Sequence, residues 1–138
     1  MKGDHASRAV GNKGEDIASE FLRSKGYEII ERNHYTSHAE LDIIALSPER
    51  DTVVFVEVKA RTRSVADKYG RPAAAVGRQK QKNIIFAAEG YMRYHPDICS
   101  GRRVRIDVVE IFFEDGSPPL VNHIRSAVTA RRGYNRSW

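Results

Sequence analysis

The stretch Asp51-Thr-Val-Val-Phe-Val-Glu-Val-Lys-Ala-Arg61 predicts the central strand of the fold. Valine and phenylalanine favour strands, and a run this apolar is typical of a strand that is buried on both faces of a sheet. Glu57 and Lys59 interrupt the run, and they share one face because side chains two positions apart on a strand point the same way. A charged group in such a strand must be paired or bound to something. The two residues therefore form either a structural ion pair or part of a functional site.

A second strand is predicted just before it, over residues 40–46, and turn-forming residues separate the two. If the strands form an antiparallel hairpin centred on this turn, Asp42 faces Glu57 and Glu40 faces Lys59. Directly opposed side chains lie about 4.5–5.5 Å apart at Cβ. Two opposed carboxylates repel each other unless a cation lies between them. Carboxylate oxygens suit Mg²⁺ or Mn²⁺, so the hairpin predicts a site for one of these ions.

The chain carries an ordered set of short motifs: Gly14-Glu15, Gly26-Tyr27, Arg32-Asn33, Glu40-Leu-Asp-Ile-Ile-Ala45, Phe55-Val-Glu-Val-Lys-Ala-Arg61 and Arg105-Ile-Asp107. Together they resemble the YraN family, bacterial proteins predicted to be endonucleases and similar in fold to archaeal Holliday-junction resolvases. Asp42 with the later Glu57-Val-Lys59 also resembles the PD-(D/E)XK core of restriction-endonuclease-like nucleases. The resemblance covers roughly residues 11 to 112. Two departures are Leu41, where the core often has Pro, and Ala39, where the family usually has Gly.

The resemblance implies an α/β fold with a restriction-endonuclease-like mixed central β-sheet flanked by helices. It also implies metal-dependent hydrolysis of DNA phosphodiester bonds, with the repair or recombination of branched DNA as one expected setting. Asp42 and Glu57 would hold Mg²⁺ or Mn²⁺ with help from a backbone carbonyl near Val58, and no small-molecule cofactor is expected. Lys59 would orient a water molecule or stabilise charge on the phosphate. The rival function is a nucleic-acid-binding module of the same fold that does not cut.

Further candidates lie on the two predicted helices. Related nucleases often place an acid of the first helix beside the metal, and Glu15 matches that position. Glu15 also lies three residues after Asn12, so a capping-box role stays open. A Gln or Lys of the later helix commonly assists in such nucleases, and Gln79 and Lys82 are both candidates. A solvated polar helix face is the alternative for these two residues.

The chain of 138 residues fits one domain with flexible ends. Residues 1–10 are predicted to be flexible, 11–124 to form the nuclease-like domain, and 125–138 to form a flexible basic tail.

Arg105 and Asp107 share a face of a predicted strand, and a structural ion pair is the first interpretation of them, before a substrate contact. The predicted elements are helix 13–25, strand 27–32, the hairpin of 40–46 and 52–60, helix 76–94, strand 103–113 and a short last strand 120–124.

The net charge of +5 favours an anionic partner, and the charge is uneven. Residues 59–82 hold eight Lys or Arg and one acid, and residues 125–138 hold four Arg and no acid. DNA is therefore the predicted partner. The candidate nucleic-acid-binding residues are Arg61, Arg63, Lys68, Arg71, Arg78, Lys80 and Lys82. By resemblance, a homodimer is also expected, because two paired sites would cut two strands.

The single cysteine, Cys99, cannot form an internal disulfide, and the first residues lack the apolar core of a secretion signal. These features predict a cytoplasmic protein. The longest apolar run, residues 84–88, is far too short to cross a bilayer, so no membrane association is expected. His34 and His38 lie in a predicted loop, where histidines usually contact neither a metal nor a phosphate.

Overall fold

A computed structural model describes residues 2–62 and 76–128, with side chains from residue 12 onward. Eight elements occur in chain order: α1 (Lys2–Ser24), β1 (Glu28–Tyr35), β2 (Glu40–Leu46), β3 (Thr52–Thr62), α2 (Arg78–Tyr94), α3 (Pro96–Cys99), β4 (Arg103–Glu114) and β5 (Ser117–Val128). The strands form one sheet in the order β1-β2-β3-β4-β5. The β3–β4 pair is parallel and the other three pairs are antiparallel. The predicted mixed sheet flanked by helices is therefore confirmed.

The central strand β3 is buried on both faces, as predicted. Val53 and Phe55 point into a core cluster shared with α2, whereas Val54 and Val56 point into a cluster shared with α1. The parallel pairing of β3 with β4 requires a long crossover, and α2 and α3 lie within it. Within the described residues, no helix is long and apolar enough to cross a membrane.

The predicted register of the hairpin is confirmed where the two strands pair, because Ile43 pairs with Val56 and Leu46 pairs with Val53. The expected pairs of Asp42 with Glu57 and of Glu40 with Lys59 lie beyond this ladder. This ladder covers only four residue pairs. Beyond it, β2 continues against β1 to the pair of Glu40 with Tyr35. On the other side, β3 continues against β4 as far as Thr62. The two strands therefore separate at the residues after the ladder, which are Asp42 on β2 and Glu57 on β3.

The predicted bounds of the first helix and of the last strand need correction. Helix α1 begins at Lys2 instead of Lys13, so Asn12 lies inside the helix and is not its N-cap. No proline interrupts this segment, and its alanine, lysine and arginine residues favour a helix. At the other end, β5 extends to Val128, whose side chain is buried in the α2-side cluster. Residues 125–128 therefore belong to the sheet, and the rest of the predicted tail lies outside the described residues.

Helix α1 ends with a glycine C-cap, because Gly26 follows it with a φ of 94°. The N–H of Gly26 donates to the carbonyl of Arg23, and the N–H of Tyr27 donates to the carbonyl of Leu22. This pair of bonds is the Schellman motif, which ends a helix and satisfies its last carbonyls. It turns the chain so that Tyr27 is buried under the sheet at the start of β1.

Candidate metal and nucleic-acid site

The candidate site lies where β2 and β3 separate. Asp42 is the first residue of β2 beyond the ladder, and its Oδ2 accepts a hydrogen bond of 2.9 Å from the backbone N–H of Val58. The side chain thus replaces the backbone acceptor that a paired strand would have offered to this N–H. The bond ties the Asp42 carboxylate to β3. A backbone carbonyl near Val58 was expected to help hold the cation, whereas the bond seen at Val58 is made by its N–H.

Three acids from two elements meet beside this point. Single carboxylate oxygens of Glu15, Glu40 and Asp42 all lie within 4.8 Å of one another. Glu15 comes from α1, and the other two come from β2. Glu15, predicted to lie beside the metal, and Glu40, predicted to face Lys59, therefore both lie next to Asp42.

Helix α1 reaches this place because Gly14 has no side chain. A Cβ built on Gly14 would lie 2.6 Å from the Cβ of Ala60 on β3, which is closer than real side chains approach. The glycine therefore allows the helix to rest directly on β3. Its neighbour Glu15 is carried to the acids of β2, which gives the Gly14-Glu15 motif a physical reason.

The acids strongly perturb one another. Burial raises the pKa of Asp42 to about 8, together with the negative charge of Glu57. The charges of Glu15 and Glu40 add to this rise, and the hydrogen bond from Val58 opposes it. The pKa of Glu15 is also raised, first by burial and then by the charge of Glu40. Like charges confined in a partly desolvated place have this effect.

One carboxylate oxygen of Glu15 has no hydrogen bond. This atom, Oε1, is buried, and Arg32 Nη2 lies 3.7 Å away, which is too long for such a bond. Arg32 instead places Nη1 2.9 Å from Asp16 Oδ1. A buried carboxylate oxygen without a donor is unfavourable by roughly 1–3 kcal/mol. This oxygen is therefore available as a ligand to a cation.

Glu57 is held by a lysine of α2. Lys80 Nζ lies 2.6 Å from Glu57 Oε1, and the glutamate side chain is nearly fully buried. Burial acts to lower the pKa of Lys80, but the hydrogen bond and charge of Glu57 outweigh it, and the net pKa is raised. Asp42 and Glu40 act in the same direction. Lys80 is thus a protein cation that partly balances the group of acids.

Lys59 lies two residues after Glu57 on β3. It is partly buried and pairs with Glu110 in the parallel ladder of β3 with β4. Burial lowers the pKa of Lys59, and the positive charges of Lys80 and Arg61 lower it further. Glu57 and Glu110 oppose this change. A partly desolvated ammonium group beside the acids is suited to hold a phosphate oxygen or a water molecule.

Glu110 is an acid near the site that the sequence analysis did not single out. Its side chain is 1% exposed, and its Oε1 accepts a hydrogen bond of 3.1 Å from Asn122 Nδ2 of β5. The sequence does contain a pattern that indicates Glu110, because this acid lies inside the apolar run Val108-Val-Glu-Ile111 as Glu57 lies inside the apolar run of β3.

On α2, neither predicted assistant is the residue that contacts Glu57. Gln79 is exposed and donates to Asn83 along the helix surface at 3.0 Å, and Lys82 is also exposed. Lys80, predicted only as a DNA contact, is the residue that reaches Glu57. Of the other predicted DNA contacts, Arg61 is partly buried at the end of β3 and Arg78 is exposed, whereas Arg63, Lys68 and Arg71 lie outside the described residues.

The predicted ion pair of Arg105 with Asp107 is confirmed. Arg105 donates to both carboxylate oxygens, with Nε and Nη2 at 2.9 and 3.0 Å. Asp107 is fully buried and also bonds to His123 Nε2 at 2.8 Å and to the N–H of Ser126 at 3.0 Å. Arg105 also donates to the hydroxyl of Tyr27. Because these bonds join β4 to β5 and to the start of β1, the network stabilises the sheet.

The comparisons of the sequence with known proteins agree on one family. The sequence model of "Uncharacterised protein family UPF0102" matches residues 14–111, almost the same span as the motifs described above. A UPF0102 protein of Pelobacter propionicus is 40% identical over 122 residues, covering 88% of this chain and 83% of its own. One of Rhodococcus jostii is 43% identical, covering 86% and 95%. A solved structure of SfsA from Pyrococcus furiosus in complex with Ca²⁺ is 20% identical, with a TM-score of 0.41 over 86% of this chain and 63% of that chain.

Proposed function

The chain belongs to the uncharacterised protein family UPF0102, and we propose that it is a metal-dependent endonuclease that hydrolyses DNA phosphodiester bonds. The observation that carries the proposal is the group of Glu15, Glu40 and Asp42 at the separation of β2 and β3. Glu57 and Lys59 lie on the adjoining stretch of β3. Acids gathered in this way destabilise a protein that has no cation to bind, so a function must account for them.

The residues fit a divalent cation. All the donors are carboxylates, which are the ligands that Mg²⁺ and Mn²⁺ prefer. The buried Glu15 Oε1 has no hydrogen bond. The pKa of Asp42 is raised first by burial and then by the charge of Glu57, and a cation bound there would favour its charged form. We assign the binding of the cation to Asp42 and Glu57, with Glu15 and Glu40 as additional carboxylates.

The side chains around the acids have distinct parts in the proposed reaction. A bound Mg²⁺ or Mn²⁺ would polarise the phosphate and lower the pKa of a water molecule. Asp42 must be deprotonated to bind the cation, and its link to the N–H of Val58 fixes its position on β3. Lys59 would stabilise the negative charge that develops on the phosphate. Lys80 would hold Glu57 in position, near enough for its charge to act on Asp42.

DNA is the proposed substrate because cations surround the acids. Arg78 and Lys82 are exposed on the first turns of α2, the same turns that carry Lys80. Exposed cations beside a carboxylate site attract a polyanion and hold its phosphates without reading sequence. Replacing Arg78 and Lys82 by Gln should flatten the salt dependence of duplex binding by about 0.9 in log–log slope for each phosphate that is no longer neutralised. Arg23→Gln, at an exposed residue of α1, is the control.

The decisive test is cleavage of a panel of duplex, single-stranded, flap and four-way-junction DNA with Mg²⁺ or Mn²⁺. We expect cleavage by the wild-type chain, and its loss in Asp42→Asn and Glu57→Gln. Glu49→Gln, an exposed acid in the hairpin turn, should cleave normally. Binding of the panel without cleavage in either metal would contradict the proposal, and would leave the non-catalytic binding module as the function.

A homodimer is part of the proposal because a single site cuts one strand in each encounter. The outer strands β1 and β5 form the two edges of the sheet, and an edge strand can pair with another chain. Light scattering with and without junction DNA tests this. A monomer at concentrations where cleavage occurs would mean a nicking enzyme.

A further inference from the structure

A groove beside the site has features of a surface that binds unpaired bases. It has a volume of about 490 Å³ and lies between the β1–β2 connection and the second half of α2. This volume lies within the range of roughly 300–1,000 Å³ that is usual for ligand pockets. None of the residues that line it is acidic, and they include Arg93 and three histidines. Its walls are thus aromatic and partly cationic, in contrast to the acids nearby.

Aromatic side chains are unusually exposed in this groove. Among the residues whose side chains the structure describes, four large apolar or aromatic ones stand out as exposed: Tyr35, Phe86, Tyr94 and Leu120. The first three line the groove, and Tyr35 and Tyr94 are 74% and 82% exposed. His38 lies against Phe86, with ring centroids 5.4 Å apart. Exposed aromatic faces beside a cation are the usual platform for unpaired bases.

The middle of α2 supplies a second, independent observation. Gly90 lies between Phe86 and Tyr94 at helical spacing, so the three share one face of the helix. A glycine inside a helix costs about 1 kcal/mol relative to alanine. No packing explains it, since a Cβ built on Gly90 would meet nothing within 4 Å. The missing side chain instead leaves space between the two aromatic residues.

The groove and the acids are close neighbours. Tyr35 pairs directly with Glu40 in the ladder of β1 with β2, and Glu40 belongs to the group of acids. Along α2, Phe86 is six residues after Lys80, which is about 9 Å at 1.5 Å per residue. The groove therefore lies within reach of a DNA strand whose phosphate is at the acids.

We propose that this groove binds unpaired bases of the substrate strand by stacking them on Tyr35, Phe86 and Tyr94, with Arg93 contacting the phosphates. The substrate class is then DNA with a single-stranded segment next to the cleaved bond, in preference to continuous duplex. The proposal rests on the proposed nuclease function for its link to cleavage. The binding itself requires no metal.

The test measures the anisotropy of a labelled oligothymidylate and of a blunt duplex, both in EDTA. We expect the single strand to bind, and Phe86→Ala and Tyr94→Ala each to weaken it by about 5- to 100-fold. Gly90→Leu should weaken it too, by filling the groove with a residue that favours the helix. Tyr94→Phe keeps the ring and should retain the binding. Leu120→Ala, an exposed residue outside the groove, is the matched control.

Failure of this inference and failure of the nuclease function give different results. Equal single-strand binding by wild type, Gly90→Leu and Tyr94→Ala would overturn the proposal that the groove binds bases, even if the protein cleaves DNA. If the wild-type chain does not bind the single strand, the proposal is also overturned, and a peptide becomes the favoured ligand of the groove. Loss of binding in these variants, with no cleavage in any metal, would support the groove and contradict the nuclease. Asp42→Asn should retain single-strand binding.

Discussion

At the scale of single residues, Asp42 makes a structural hydrogen bond but is destabilised in its charged form. Its carboxylate accepts the N–H of Val58, yet burial and neighbouring acids raise its pKa. A folded-state pKa above the unfolded value means that the folded protein holds this proton more tightly than the unfolded chain. The contribution of Asp42 to stability is therefore fully present below about pH 4. It is lost as the pH rises toward about 8.

Asp42→Asn should accordingly stabilise the metal-free protein at pH 8 and leave its stability nearly unchanged at pH 4. The amide keeps an oxygen for Val58 but carries no charge. We expect a gain of about 1–3 kcal/mol at pH 8, because one pKa unit corresponds to about 1.4 kcal/mol and relaxation offsets part of it. Urea denaturation with EDTA at both pH values measures this. Glu49→Gln should change neither value, and a loss of stability in Asp42→Asn at pH 8 would contradict the argument.

Asp107 shows the opposite behaviour at a purely structural place. Burial acts to raise its pKa, but hydrogen bonds from His123, Arg105 and Ser126 outweigh burial and lower it. Its contribution to stability is therefore present above the unfolded pKa near 4, and is lost as the pH falls through the lower folded value.

Asp107→Ala should destabilise the fold by about 3–5 kcal/mol at pH 7, because it leaves the partly buried guanidinium of Arg105 without its carboxylate. The difference from wild type should shrink in acid, where the wild-type carboxylate becomes protonated. Thermal unfolding from pH 7 down to pH 3 tests both statements. Asp115→Ala, at an exposed residue of the β4–β5 turn, provides the comparison, and a difference that grows in acid would refute the assignment.

At the scale of secondary-structure elements, the contact of α1 with β3 decides whether the site exists. The contact is set by Gly14 against Ala60, and the next residue, Glu15, belongs to the group of acids. A small change in the separation of these two elements therefore moves a candidate ligand. The first turn of α2 is exposed, and Lys80 links it to Glu57.

Gly14→Ala should destabilise the protein by about 1–3 kcal/mol, since its Cβ would overlap that of Ala60 and displace α1. It should also weaken Mn²⁺ binding, because Glu15 moves with the helix. The matched control is Gly90→Ala, in the open middle of α2, which should stabilise by up to about 1 kcal/mol. Urea denaturation and calorimetric titration with Mn²⁺ are the two measurements. Equal stability of the two variants would argue against the close contact.

At the scale of the whole molecule, cation binding and folding are linked. A ligand that binds only the folded state stabilises it by about 2.7 kcal/mol at 100 times its Kd. The cation competes with protons for the carboxylates, so its effect depends on pH. Because the pKa of Asp42 is raised to about 8, the stabilisation by the cation should increase as the pH rises from acidic values to about 8.

Mn²⁺ should therefore raise the melting temperature of the wild-type chain by several degrees at pH 8 and by much less at pH 5. Asp42→Asn should lose most of the increase at pH 8. Differential scanning fluorimetry with Mn²⁺ and with EDTA measures it. Glu49→Gln should respond as wild type does, and an equal rise at both pH values would mean that the ion binds elsewhere.

The sequence by itself determined the features that depend on local alternation and spacing. The apolar run of β3 and the turn before it determined the strands, the hairpin and its register. The spacing of Arg105 and Asp107 determined their ion pair. A period of two fixes which side chains share a face, and one turn fixes which residues pair across a hairpin.

Only the tertiary structure decided how separate elements meet. Sequence could not choose Lys80 over Gln79 and Lys82, because the packing of α2 decides which side of its first turn faces the acids. The buried position of Glu110 likewise depends on the pairing of β4 with both of its neighbours. The group of Glu15 with Glu40 and Asp42 needs α1 to touch β3. Such contacts join residues far apart in the chain, and no local period encodes their distance.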